Sequence, residues 1–108
     1  MEYSLSKKCA AIALHYGETP QLKMMIEESA ELTQSICKMF RSVKGSDGKL
    51  PVEVRNHYIE ELADVLIMAE QLMILLDARE STYLYNTMRF KLRRQLDRIE
   101  KEAIANGE

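Results

Sequence analysis

Residues 61–76 read ELADVLIMAEQLMILL, and this stretch decides the fold because its apolar side chains cover almost the whole circumference of a helix. A helix that is apolar on nearly every side is buried on several sides. The apolar run from Val65 to Leu76 is interrupted by Glu70 and Gln71, and it is shorter than the roughly 20 residues that span a bilayer. It predicts a central buried helix over about residues 51–77.

Three further segments have apolar side chains at helical spacing. They are residues 4–16, 20–41 and 81–105. Thr19 is a suitable cap for the second of them, and Pro20 suits its first helical position. The stretch 42–50, SVKGSDGKL, predicts the one longer loop. We therefore expect an all-α, four-helix bundle-like fold in a single domain over residues 1–108.

The apolar stripes of the outer helices indicate which sides face the core. On the first helix the stripe comprises Leu5, Cys9, Ile12 and Ala13. On the second it comprises Leu22, Met25, Ile26, Ser29, Leu32, Thr33, Ile36, Met39 and Phe40. Because a short chain buries only a modest core, the additional apolar surface of the central helix predicts a homodimer or homotetramer.

The composition fits a globular helical protein. The 108 residues are 46% hydrophobic and 30% charged, which is unlike a disordered chain. A net charge of −2 provides no overall attraction to nucleic acid or to an anionic membrane. Cys9 and Cys37 lack metal-ligand spacing, so we expect both to be small core residues. The amino terminus lacks the pattern of a secretory signal, and we expect a cytoplasmic protein.

Two short acidic strings carry the candidate chemistry. Residues 27–31 read EESAE, and residues 60–64 read EELAD. Each string contains two acids at positions i and i+3, which lie on one side of a helix and one turn apart. The pairs are Glu28 with Glu31, and Glu61 with Asp64.

A solvated acidic face is the ordinary explanation for such strings. Here none of the four acids has a lysine or arginine three or four residues away. Glu28 and Glu61 lie beside the apolar stripes of their helices, where an unpaired charge is unfavourable. A bundle can bring the two pairs face to face, where four carboxylates resist joint ionisation unless a cation binds. Ligands that are all oxygen favour Mg²⁺ or Mn²⁺.

The strings EESAEL and EELADVL together resemble the paired ExxE and ExxD signature of the MazG-like all-α nucleoside triphosphate pyrophosphohydrolases. The resemblance covers about residues 21–98. It implies a dimeric or tetrameric helical enzyme that hydrolyses a nucleoside triphosphate between the α and β phosphates. The products would be a nucleoside monophosphate and pyrophosphate, in a reaction that cleanses the nucleotide pool. The 32–60 interval between the two motifs lies toward the long end for that family.

The resemblance also implies roles for individual residues of this chain. Glu28, Glu31, Glu61 and Asp64 would bind Mg²⁺, for which Mn²⁺ could substitute. Glu27 and Glu60 would be catalytic groups, one of them acting as the general base. Lys91 and Arg94, with Asn86 before them, would bind phosphate.

Several alternatives remain open on the sequence alone. The basic stretch 89–98 is also compatible with ordinary ion pairing along a helix, or with a nucleic-acid patch. His15 and His57 are more often surface residues than catalytic ones. Neither follows a glutamate by three residues, which argues against a di-iron bundle. The chain could also be a non-catalytic helical dimerisation or regulatory module that retains a metal-binding cluster.

Overall fold

The computed structural model of the chain describes residues 3–44 and 47–107. These residues form four helices and no strand: α1 (Tyr3–Tyr16), α2 (Glu18–Lys44), α3 (Val52–Ile74) and α4 (Ala78–Ala105). The predicted all-α, helical bundle-like fold is confirmed. The chain divides into two compact units, the first ending at Leu75 and the second beginning at Leu76. The single domain over residues 1–108 stays a prediction.

The first unit is a bundle of three helices that all contact one another, with the most extensive contact between α2 and α3. Among the described residues of this unit, the buried apolar ones are Cys9 and Ala13 of α1 and Met68 of α3. Cys9 and Ala13 were predicted to face the core, whereas Leu5 and Ile12 of the same stripe are exposed. Cys9 and Ala13 are one turn apart, and in a bundle this small one position of each turn can be buried while its neighbours remain at the surface.

The two cysteines differ in their surroundings. Both are free thiols, and Cys9 is buried, as predicted, while Cys37 is exposed. The prediction that Cys37 is a core residue is therefore wrong. Cys37 follows the buried Ser35 by two residues, which is about 200° around α2, so it lies on the opposite side of that helix.

Gly17 makes the turn between α1 and α2 by itself. Its N–H donates to the carbonyl of Ala13 at 2.9 Å, which closes α1, and its own carbonyl accepts from the N–H of Gln21 at 3.3 Å, which opens α2. Its φ of 81° lies in the left-handed region that glycine adopts without a steric penalty. Helix α2 thus begins before the predicted cap Thr19, and Pro20 lies inside the first turn, where no N–H is needed.

The ends of the other helices also differ by a few residues from the predicted ones. Helix α2 continues to Lys44, three residues into the predicted loop, and Gly45 and Ser46 of that loop lie outside the described residues. Helix α3 ends at Ile74 rather than near Asp77. Asp77 instead caps α4, which begins at Ala78 rather than Ser81.

A capping box explains the early start of α4. Asp77 Oδ1 accepts from the N–H of Glu80 at 2.8 Å, and Glu80 Oε1 accepts from the N–H of Asp77 at 3.0 Å. The two bonds satisfy two backbone donors that the helix start would otherwise leave unpaired. No residue of α4 is buried, and Met88, Leu92, Leu96 and Ile99 are all at least 45% exposed.

Among the described residues, no helix is both long enough and apolar enough to cross a membrane.

Candidate metal centre

The packing of α2 against α3 places two acids inside the contact between the helices. The covered residues of α2 recur at alternating intervals of four and three, which is the spacing of a helix–helix seam. Those that follow this spacing are Gln21, Met25, Glu28, Leu32, Ser35, Met39 and Ser42, and Ile36 beside them is also half-buried. Covered residues of α3 follow the same spacing through Val54, Tyr58, Glu61, Val65, Met68 and Leu72. Glu28 and Glu61 therefore occupy seam positions that usually hold apolar side chains.

The four predicted metal ligands come together at this point. One carboxylate oxygen from each of them lies within 4.8 Å of the oxygens of the others; the four are Glu28, Glu31, Glu61 and Asp64. Glu31 and Asp64 lie one turn beyond the seam acids and are exposed. The cluster is thus half-buried at the seam and open to solvent along one side. We call these four residues the acidic cluster.

Two oxygens of the acidic cluster are buried without a hydrogen-bond partner in the described part of the chain. They are Glu28 Oε2 and Glu61 Oε2. A buried carboxylate oxygen without a partner destabilises a fold, because it has lost its contacts with water and gained nothing in return. A cation that ligates both oxygens would restore these contacts.

Burial and repulsion between carboxylates both raise the pKa values of the two seam acids. Burial raises the pKa of the Glu28 carboxyl above its usual range, and the neighbouring charge of Asp64 raises it further. Burial likewise raises the pKa of the Glu61 carboxyl, with a further contribution from Glu31. The protein thus holds protons on these two groups more tightly than an unfolded chain does. A cation that binds here therefore competes with protons for these oxygens.

Among the described residues, His57 is a further neighbour of the acidic cluster that the sequence analysis did not assign to this region. Its Nε2 lies 3.7 Å from Glu61 Oε1, and its Nδ1 lies 4.0 Å from Glu60 Oε2. When protonated, the imidazole opposes the rise in the pKa of Glu61. The signal was present in the sequence, because His57 precedes Glu61 by four residues and so lies on the same side of the helix.

The ligand chemistry of the acidic cluster fits a hard divalent cation. All four groups offer carboxylate oxygen, and neither histidine nor cysteine belongs to the set. Such donors suit Mg²⁺, Mn²⁺ or Ca²⁺ rather than zinc or copper. With two carboxylates from each helix as ligands, the cation would keep coordination positions on the exposed side for water or for oxygens of a bound molecule. The residues present therefore fit the predicted Mg²⁺.

The other predicted site residues are not members of the acidic cluster. Glu27 and Glu60 immediately precede the cluster acids, and both are exposed. Asn86, Lys91 and Arg94 are exposed on α4, in the second unit. Lys91 and Arg94 are three residues apart and share a side of α4, whereas Asn86 is turned by about 140° from Lys91 at 100° per residue. The catalytic and phosphate-binding roles of these five residues stay predictions.

Comparison of the chain with protein-family models, with curated proteins and with solved structures finds no match in any of the three.

Proposed function

We propose that the acidic cluster binds Mg²⁺ and that the chain hydrolyses a nucleoside triphosphate between the α and β phosphates. The observation that carries the proposal is the meeting of four carboxylates from two helices, two of them with buried, unpartnered oxygens. The paired motifs that resemble those of the MazG-like pyrophosphohydrolases supply the reaction class. Mn²⁺ is expected to substitute for Mg²⁺ because it accepts the same oxygen ligands.

The four acids differ in what they contribute. Glu28 and Glu61 are held by the α2–α3 seam, so their positions are fixed before any ligand arrives. Glu31 and Asp64 lie at the exposed side, from which a triphosphate would approach. Bound Mg²⁺ would supply a Lewis acid for the phosphoryl oxygens and lower the pKa of a coordinated water.

Hydrolysis requires a group that takes a proton from the attacking water. Water forms a new P–O bond as the bridging P–O bond breaks, and a nucleoside monophosphate and pyrophosphate leave. Glu27 and Glu60 are the proposed acceptors for the water proton, each next to a cluster acid. Glu60 lies beside His57, whose imidazole can orient its carboxylate.

The triphosphate also needs cations that compensate for its charge. The acidic cluster contains none, and Lys91 and Arg94 are the proposed source. An arginine can bind two phosphate oxygens at once, and a lysine provides a compact positive charge. Their contribution is expected to be largest for the pyrophosphate that leaves.

A panel of ribo- and deoxynucleoside triphosphates tests the proposal directly. Purified protein with Mg²⁺ is expected to release pyrophosphate and the matching monophosphate from at least one of them, and to release none in excess EDTA. Orthophosphate and a nucleoside diphosphate as direct products would reject the proposed bond. Mg²⁺ binding without any hydrolysis across the panel would instead favour the non-catalytic helical module.

A further inference from the structure

A second candidate site lies inside the first unit, two helical turns from the acidic cluster. A cleft of about 540 Å³ is lined by residues of α1, α2 and α3. Its walls include Tyr16, Met24 and Met68, together with the amides of Gln21 and Gln71. This size and a mostly apolar lining with few polar groups are typical of a small-molecule site.

The two amides are the unusual part of this cleft. Gln21 and Gln71 are each only 3% exposed, which is rare for a side chain that prefers water. Gln21 Oε1 is buried and has no hydrogen-bond partner in the described residues. Leaving such an acceptor unpaired destabilises the fold. A ligand that donates a hydrogen bond to it would remove this penalty, which would strengthen binding. Because a primary amide turns easily about its last side-chain bond, either end of Gln21 can face the cleft.

The position of the cleft relates it to the acidic cluster. Gln21 precedes Glu28 by seven residues on α2, and Met68 follows Glu61 by seven residues on α3. Both intervals are two turns, or about 10.5 Å of helix, along one seam. A ligand with phosphates at the acidic cluster and a flat apolar group carrying N–H donors in the cleft would lie along that seam.

From this arrangement we infer that the cleft is the base pocket: it binds the nucleobase, and the Gln21 amide oxygen accepts a hydrogen bond from a base N–H. The inference rests on the proposed function, which supplies the nucleotide. Tyr16 and the two methionines provide the flat and adaptable apolar contacts that a base requires. Gln71 provides a second amide for the hydrogen-bonding edge of the base. Lys23, on the same wall, suits a carbonyl oxygen.

Binding of free nucleosides in EDTA tests the pocket without metal, phosphate or turnover. Uridine, cytidine, adenosine and guanosine would each be titrated while the methyl signals of Met24 and Met68 and the ring signals of Tyr16 are recorded by NMR. At least one nucleoside is expected to shift all three sets. The analogue of that nucleoside with the donating N–H methylated should bind about tenfold more weakly, the loss of one hydrogen bond to a buried group.

Gln21→Leu should weaken nucleoside binding to the same extent, and it should fold well because it removes an unpaired buried oxygen. Gln34→Leu, at an exposed position of the same helix, is the matched control and should bind as wild type does. Gln71→Leu is a second variant that alters the cleft from α3. The inference is overturned if no nucleoside moves these signals, if benzyl alcohol moves them equally, or if Gln21→Leu binds as tightly as wild type.

The outcome separates this inference from the proposed function. An active pyrophosphohydrolase whose Gln21→Leu variant retains the same preference among bases would overturn the pocket alone. A protein that binds a nucleoside through Gln21 but hydrolyses no triphosphate would overturn the proposed function alone.

Discussion

Glu61→Gln keeps the size and hydrogen-bonding capacity of a seam side chain but removes one of four negative charges within the acidic cluster. A Mg²⁺ ion would then face three formal negative charges instead of four. Loss of one main electrostatic element of a catalytic site lowers turnover by about a hundredfold or more, and we expect that decrease for Glu61→Gln, Glu28→Gln and Asp64→Asn. The measurement is pyrophosphate release at saturating Mg²⁺ with the preferred nucleotide.

The double variant Glu28→Gln/Glu61→Gln distinguishes a joint site from two independent contributions. Independent effects of about a hundredfold each would multiply to about ten-thousandfold. Groups that hold one cation together act as a unit. We therefore expect the turnover of the double variant to be within about tenfold of that of the less active single variant. Glu53→Gln, at an exposed position of the same helix, should retain full turnover. Full activity in Glu61→Gln would refute the mechanism.

Three further predictions concern stability and assembly. Without metal, the free energy of unfolding should fall as pH rises from the usual carboxyl range through the raised pKa values of Glu28 and Glu61. The reason is that the folded state binds more protons than the unfolded state in that range. Thermal melts in EDTA should show this fall, and Glu61→Gln should show a smaller one. Millimolar Mg²⁺ should raise the melting temperature of wild type at pH 7 but raise it less in Glu61→Gln, and an equal rise in both would place the bound ion elsewhere. The exposed apolar residues of α4 should be covered in at least a dimer, which light scattering at micromolar concentration would detect and a strict monomer would exclude.

Much of the candidate site could be predicted because its signal is local. The i, i+3 spacing fixes which acids share a side of each helix, and the absence of basic neighbours marks them as unpaired. The structure places Glu28 and Glu61 together across the seam, as expected from two such helices in a bundle. His57 precedes Glu61 by four residues, so its place beside the acidic cluster follows from helical spacing even though it does not have the Glu-x-x-His spacing of a metal ligand.

The covered side of α2 was harder to predict because polar residues occupy half of it. Gln21, Glu28 and Ser35 lie on the seam, while Leu22 and Phe40 of the predicted stripe are 47% and 69% exposed. Hydrophobicity alone therefore could not separate two neighbouring stripes, one of which carries the site and the other of which is exposed. The start of α4 was predictable, because Asp77 and Glu80 have the spacing of a capping box.

The seven-residue repeat of α2 has a consequence for how the two long helices find their alignment during folding. Gln21, Glu28 and Ser35 are equivalent positions of that repeat, so a slide of α2 by one repeat would set either Gln21 or Ser35 opposite Glu61. Each displaced alignment would still present the same kind of interface but would separate the four acids into two pairs. Only the native alignment would bring the four carboxylate oxygens together. A cation whose free concentration is a thousand times its dissociation constant would favour that alignment by about 4 kcal/mol. The ion would then select, during folding, one of several otherwise similar alignments of the two helices.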